Sequence, residues 1–405
     1  MAGTTVKRSR KLTDIRFEVR GPITEEAARM EREGRAVLKL NIGNPAEFGF
    51  AAPEEFIAQI SARMAGAQGY SDARGLPEAR AAVAAYARSK GIAASEDDVF
   101  IGNGVSELIQ MSMNALLDDG DEVLLPAPDY PVWTSWVTLS GGRAVHYICD
   151  EQADWCPDIA DIRRKITAKT RAIVLINPNN PTGALYPREA LEEIAGIARE
   201  HGLMIFSDEI YDRSVMDGEE HVSAAAAAPD VFCATFGGLS KSHMLCGFRS
   251  AWMILSGPEP EGDYRDGLTL LANLRISPNV PGQLAIEPAL GDFGGANPYV
   301  MPGSRLYEQR KFIVGALNAI PGISVVQPKA AFYLFPKIDT AKFGVKDDGR
   351  FVLDFLKEKG VLLVPGSGFN WPRPDHVRIV YLAGLPWLRE AAEKLEEFLG
   401  GYRQS

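Results

Sequence analysis

Residues 171–212 read RAIVLINPNNPTGALYPREALEEIAGIAREHGLMIFSDEIYD, and this stretch decides the fold. RAIVLINP (171–178) and GLMIFSDE (202–209) are short runs, apolar without alternation, as strands covered on both faces must be. Between them, PREALEEIAGIAREHG (187–202) has Pro near its start, apolar residues at helical spacing and Gly at its end, the punctuation of an amphipathic helix. Each strand runs into a polar cluster, NPNNPTG (177–183) and SDEIYD (207–212). Open α/β sheets place their ligands at such strand ends.

The same grammar extends outward. DVFIG (98–102), DEVLLPAP (121–128) and VFCATFGG (231–238) read as further buried strands, and GVSELIQMSMNALLDDG (104–120) as a helix. The expected fold class is therefore α/β, a large domain with a mainly parallel sheet covered by helices. The last hundred residues differ. RLYEQRKFIVGALNAI (305–320), FVLDFLKEKG (351–360) and PWLREAAEKLEEFLG (386–400) are helical, whereas ISVV (323–326), AFYLFPKI (331–338), VLLVPG (361–366) and HVRIVYLA (376–383) are strand-like. They predict a smaller α+β domain at 299–405, a large domain at 48–298, and an N-terminal arm, 1–47, too short to fold alone and packing on the small domain.

Composition narrows the function. The 405 residues hold 43 Lys and Arg against 53 Asp and Glu, a formal charge of −10. A general nucleic-acid binder needs a basic face to replace phosphate counterions, so neither nucleic acid nor a membrane is an expected partner. No apolar run approaches the ~18 residues of a spanning helix, and the charged start MAGTTVKRSRKL has no apolar h-region. The four cysteines, 149, 156, 233 and 246, are too sparse for a disulfide framework. The expectation is a cytoplasmic protein.

Several chemistries lose their entry point. GNGVSEL (102–108) places Glu107 where a dinucleotide fingerprint needs its third Gly. There is no GxxxxGK[ST] and no GxSxG, and the five His show no ligand spacing, so no metal site is expected. What remains is a set of strand-end segments: GNGVSE (102–107), NPNNPTG, SDEIYD and SKSHMLCGFR (240–249), with NIGNP (41–45) and HVRIV (376–380).

In that order and spacing, from about residue 16 to 402, these segments resemble the class I/II aminotransferases of the fold-type I pyridoxal-phosphate (PLP) superfamily. DIRFEVRGP (14–22), LNIGNPAEFGF (40–50), PAPDYPVWT (126–134) and FNWPRPDHVRIV (369–380) are similar to the bacterial alanine (glutamate–pyruvate) aminotransferases within them. The resemblance implies PLP as cofactor, a homodimer, and ping-pong amino transfer between glutamate/2-oxoglutarate and pyruvate/alanine through the pyridoxamine form. It leaves open another donor (aspartate, aromatic or branched-chain) and a carbon–sulfur lyase, which starts from the same carbanion. A PLP-fold regulator is disfavoured, because the arm before NIGNP has no helix-turn-helix.

The resemblance also implies roles. Lys241, eight residues before Arg249, is the catalytic amine, which binds the cofactor and moves the substrate proton. Asp208 keeps the ring nitrogen protonated, as a buried carboxylate favours a facing cation; an Asp after a strand is otherwise usually a helix cap. Tyr211 and Asn180 bond the ring's phenolic oxygen, with a cis Asn180–Pro181 bond as in the family; NPNNPTG is also a plausible turn. Gly104, Val105 and Ser106, opening a helix, bind the phosphate with Ser240 and Arg249. Tyr130 stacks on the ring, with Trp133 the competing candidate, and Tyr70 (in QGYSDARG) reaches the neighbouring subunit's phosphate. Arg378 takes the substrate α-carboxylate bidentately, near Asn180 and with Gly43 leaving room for close approach. Arg20 is the candidate for the distal carboxylate of glutamate. After the lysine, His243, Met244 and Ala251 depart from the subgroup's usual residues, which bears on the donor; His243 is expected to pack rather than catalyse.

Overall fold

The computed structural model describes residues 6–13, 15, 18, 21–259, 261–292, 294–295 and 297–404. A two-residue strand, β1 (Leu38–Lys39), precedes the main sheet, which comprises β2 (Val99–Gly102), β3 (Glu122–Ala127), β4 (Arg143–Asp150), β5 (Cys156–Pro157), β6 (Thr170–Ile176), β7 (Met204–Asp208), β8 (Cys233–Gly238) and β9 (Ala251–Ser256). Their order across the sheet is β2-β9-β8-β7-β6-β3-β4-β5. Strands β4, β3, β6, β7 and β8 pair in parallel, while β9 is antiparallel to β8 and β2, and β5 to β4. The chain steps from β3 to β4 on one side and returns to β6 on the other, a topological switch whose crevice opens at the carboxyl ends of the strands.

The apolar runs of β6 and β7 are explained by what lies on each face. Ile173, Leu175 and Ile205 enter one core cluster, and Val174, Ile176 and Phe206 enter another on the opposite side. Because successive side chains alternate between faces and both faces are covered, no polar position remains. β4 escaped the pattern because only two of its eight residues are fully buried. β9 escaped it because an antiparallel return from β8 needs no helical crossover to announce it.

A third cluster gathers the C-terminal part. β10 (Ile323–Ser324) pairs with β12 (Lys337–Ile338), and β15 (Val377–Val380) lies between β11 (Tyr333–Leu334) and β14 (Val364–Pro365). The helices Arg305–Asn318, Asp348–Lys359 and Leu385–Gly401 pack with them. The same cluster takes in Ile23, Ala27 and Met30 of the helix Pro22–Arg32, and β1 pairs in parallel with β13 (Val361–Leu362). Among the described residues no helix is long and apolar enough to cross a membrane.

Candidate active site

A cavity of about 640 Å³ lies at the carboxyl ends of the main-sheet strands, and Gly43, Val105, Ser106, Tyr130, Asn180, Asp208, Tyr211, Ser240, Lys241, Arg249 and Arg378 all line it. Residues more than 300 positions apart in sequence thus meet in one space, each delivered by a strand end or by a pairing register.

Asp208 is the last residue of β7 and is buried. Its Oδ2 accepts from the Trp133 indole N–H at 3.0 Å and its Oδ1 from the Ile210 amide at 3.3 Å. No salt bridge reaches it among the described residues. Burial raises its pKa to about 6, against the pull of those two donors. The carboxyl is therefore poised for a cationic partner across the cavity. Tyr211, one turn on, is also buried, which lifts its hydroxyl well above the ordinary value; its hydroxyl is 2.8 Å from that of Tyr333.

NPNNPTG is both turn and site. Thr182 donates through its amide and its hydroxyl to Asn179 Oδ1 (3.2 and 2.9 Å), and the Asn180–Pro181 bond is cis. Asn180 Oδ1 accepts from Arg378 Nη1 at 3.0 Å. Lys241 sits in the short helix Leu239–Ser242 directly after β8, where Nζ donates to the Gly43 carbonyl at 2.5 Å and lies 3.6 Å from Cys246 Sγ.

The opposite end is built for an anion. Gly104, at φ +95°, is the N-cap of the helix Val105–Leu116, and no side chain caps that end. The first N–H groups of this helix, at Val105 and Ser106, therefore take no cap from the Gly104 position, and both residues line the cavity. A Cβ on Gly104 would overlap the Arg249 guanidinium, which donates to the carbonyls of Cys246 (2.9 Å) and Asn103 (3.3 Å).

Arg378 is only 2% exposed, yet no carboxylate pairs with it among the described residues. Its Nη2 donates to the Asn41 carbonyl and its Nε has no partner. The guanidinium lies 4.6 Å from the ring centroids of both Tyr333 and Phe369. Burial lowers its pKa. A buried cation without a counter-ion is costly, and a bound carboxylate would complete it.

Two candidates, Trp133 and Tyr70, stand elsewhere. Trp133 is buried beneath the site as the donor to Asp208 and does not line the cavity, leaving Tyr130 at its wall. Tyr70 is outside the cavity and 83% exposed. Arg20 lies outside the described residues. Of the departures, His243 bonds Ser242 Oγ (2.8 Å) and the Ala289 carbonyl (2.9 Å) away from the cavity, and burial pushes its pKa down to about 4, so it is neutral. Met244 and Ala251 are buried in the core.

The pattern reading missed Tyr333 and Cys246, which also line the cavity. The signal for Tyr333 was present but indirect: it pairs with Val380, two residues from Arg378 on β15, and so shares that face. It also missed the buried support behind SDEIYD, where Lys90 Nζ contacts Glu209 Oε2 (2.7 Å) and Asp212 Oδ2 (3.0 Å), and Tyr86 donates to Asp212 at 2.6 Å.

Comparison with known proteins agrees with this geometry. Residues 35–395 match the family described as aminotransferase class I and II. The chain is 54% identical over 399 residues to the glutamate-pyruvate aminotransferase AlaA of Haemophilus influenzae, covering 98% of this chain and 99% of the relative. An aminotransferase structure from Escherichia coli superposes with a TM-score of 0.97 at 51% identity, covering 99% of this chain and 100% of that one. The alanine aminotransferase of Pyrococcus furiosus gives 0.90 at 38% identity, covering 97% and 100%. With its strand-end motifs gathered in one cavity and its length matched almost throughout, the chain belongs to the class I and II aminotransferases.

Proposed function

We propose that this aminotransferase exchanges an amino group between L-glutamate/2-oxoglutarate and pyruvate/L-alanine, the alanine transaminase reaction, with pyridoxal 5'-phosphate as its cofactor. The observation that carries the reading is the buried Arg378 guanidinium, with Nε unpartnered and no carboxylate beside it among the described residues, in the same cavity as Lys241 and Asp208. Near-full-length identity of about half to proteins named glutamate-pyruvate aminotransferase supports the substrate pair.

The residues present fit the cofactor. Asp208, its pKa raised by burial for want of a cation, suits a protonated ring nitrogen. The helix end at Gly104, with Val105, Ser106, Ser240 and Arg249, suits a phosphate, and Tyr130 offers an aromatic face. When bound, pyridoxal phosphate supplies an electron sink for the charge that develops at the substrate α-carbon. Asp208 holds the proton at the ring nitrogen, Tyr211 and Asn180 offer donors to the phenolic oxygen, and Arg378, Asn180 and Gly43 orient the substrate carboxylate. Lys241 Nζ, once neutral, takes the α-proton and delivers it again. Arg20 is the residue proposed to read the distal carboxylate of glutamate: Arg20→Ala weakens glutamate far more than alanine, and equal losses overturn that role.

The reading includes a homodimer with shared sites. Arg275 donates to the Ala73 carbonyl at 2.6 Å, which ties the end of the helix Tyr264–Arg275 to the loop carrying Tyr70. Tyr70, Leu274 and Ile276 there are 83%, 72% and 54% exposed, an apolar surface suited to a second copy and to Tyr70 reaching its phosphate. The arm 1–47 is proposed to pack with the small domain 299–405, as the shared core cluster of their described residues supports.

The test is a pair of absorbance spectra of the PLP-loaded protein. L-Glutamate alone should remove the visible band of the bound cofactor, and pyruvate should restore it. A band that ignores glutamate overturns the substrate pair, and release of pyruvate and ammonia from cysteine would then identify a lyase.

A further inference from the structure

We propose that Tyr333 is a positioning residue with two tasks: its hydroxyl donates to Tyr211, fixing the direction of that residue's own hydrogen bond, and its ring seats the Arg378 guanidinium. The proposal rests on the PLP reading above and adds to it a residue from the C-terminal core.

The two hydroxyls are 2.8 Å apart and both residues are buried. Each hydroxyl has one proton to give. If Tyr211 spends its proton on an acceptor in the cavity, the short contact can be made only by Tyr333 donating to Tyr211. Among the described residues the Tyr333 hydroxyl has no other hydrogen-bond partner, so nothing competes for its proton. Donation into the Tyr211 oxygen polarises that hydroxyl and strengthens its own donation onward.

The ring does separate work. Its centroid is 4.6 Å from the Arg378 Cζ, so beside the oxygens of Asn180 and Asn41 the guanidinium meets aromatic rings, those of Tyr333 and Phe369. Antiparallel pairing of β11 with β15, Tyr333 opposite Val380, fixes this placement through the backbone. Gly43 is part of the same fit: a Cβ there would stand 2.5 Å from the Tyr333 hydroxyl and 2.7 Å from Phe332. That glycine is required for space, since its conformation is not left-handed. Tyr333 therefore touches the residue facing the phenolic oxygen, the residue taking the carboxylate, and the glycine whose carbonyl holds Lys241.

The experiment compares full-length, PLP-loaded wild type with Tyr333→Phe and Tyr333→Leu, reading the pH midpoint of the visible absorbance and the KM for L-alanine. Donors to a phenolate favour the deprotonated form, so losing one moves the midpoint up. Tyr333→Phe should raise it by about half a unit to one unit, the size of one neutral hydrogen bond, with KM within about twofold of wild type because the ring remains. Tyr333→Leu should show the same midpoint shift and a KM raised about threefold to tenfold; if leucine does not fold there, Tyr333→Met takes its place. An unmoved midpoint in the Phe variant overturns the hydroxyl task, and an unmoved KM in the Leu variant overturns the ring task. Wild-type protein that takes up no PLP overturns the reading of the site, and this proposal with it.

Discussion

The indole N–H of Trp133 donates a 3.0 Å hydrogen bond to Oδ2 of Asp208. The indole is wedged between Phe206 and Phe236, with ring centroids 5.9 and 5.2 Å away, so the donor cannot swing aside. Trp133→Phe keeps the packing and removes the donor. A hydrogen bond to a charged group is worth about 1.5–3 kcal/mol, so PLP affinity should fall about tenfold or more. Titration of the cofactor-free variant with PLP by absorbance measures this, and unchanged affinity would show that the carboxylate needs no such anchor.

Asp208 also sets a pH dependence. Its folded pKa of about 6 lies above the ordinary 3.8, so the cofactor-free folded state holds more protons than the unfolded chain between those values. This residue's contribution to stability is full below about pH 4 and is lost as pH rises through 6, about 3 kcal/mol in all. Asp208→Asn removes the dependence. Cofactor-free Asp208→Asn should resist urea better than wild type above pH 6, with the gap closing towards pH 4; a gap independent of pH would contradict the burial argument.

Gly104→Ala tests the anion end. At φ +95° and ψ 154° the backbone is in a region essentially reserved for Gly, costing an L-residue about 1–3 kcal/mol, and the new methyl displaces the Arg249 guanidinium. PLP binding should weaken at least tenfold, and the melting temperature should drop by a few degrees, as calorimetry with and without PLP would show.

Arg378→Met separates binding from folding. Loss of the carboxylate partner should cut kcat/KM about 10²-fold or more for alanine and glutamate alike, with PLP uptake retained. The cofactor-free variant should nevertheless melt no lower than wild type, because a buried cation without a counter-ion is removed. A clear fall in melting temperature would mean that Asn41 and Asn180 compensate the charge fully.

Lys90→Met should behave in the opposite way. It leaves Glu209 and Asp212 buried without their shared cation, a loss of about 3–5 kcal/mol. Denaturant unfolding should show it, while the cavity-lining residues stay unaltered.

Much of this was legible in the linear chain, and for a definable reason. A strand covered on both faces must be apolar at every position, and a covering helix must repeat at 3.6, so RAIVLINP, GLMIFSDE and PREALEEIAGIAREHG declare their structures locally. The polar clusters that interrupt them mark strand ends, and strand ends are where this architecture binds. Lys241, Asp208, Asn180 and Arg249 could be picked out on those grounds, together with family resemblance. What residues share across the fold could not. That Trp133 supports Asp208 rather than facing the cavity depends on how a helix seats on the sheet. That Tyr333 meets Tyr211 depends on the register of β11 against β15 and on the packing of the C-terminal core against the sheet. That Arg378 meets no counter-ion among the described residues is a property of everything around it. Local sequence governs backbone conformation through short-range sterics and periodic burial; the partners of a side chain are chosen by contacts between distant segments, which only the folded chain brings together.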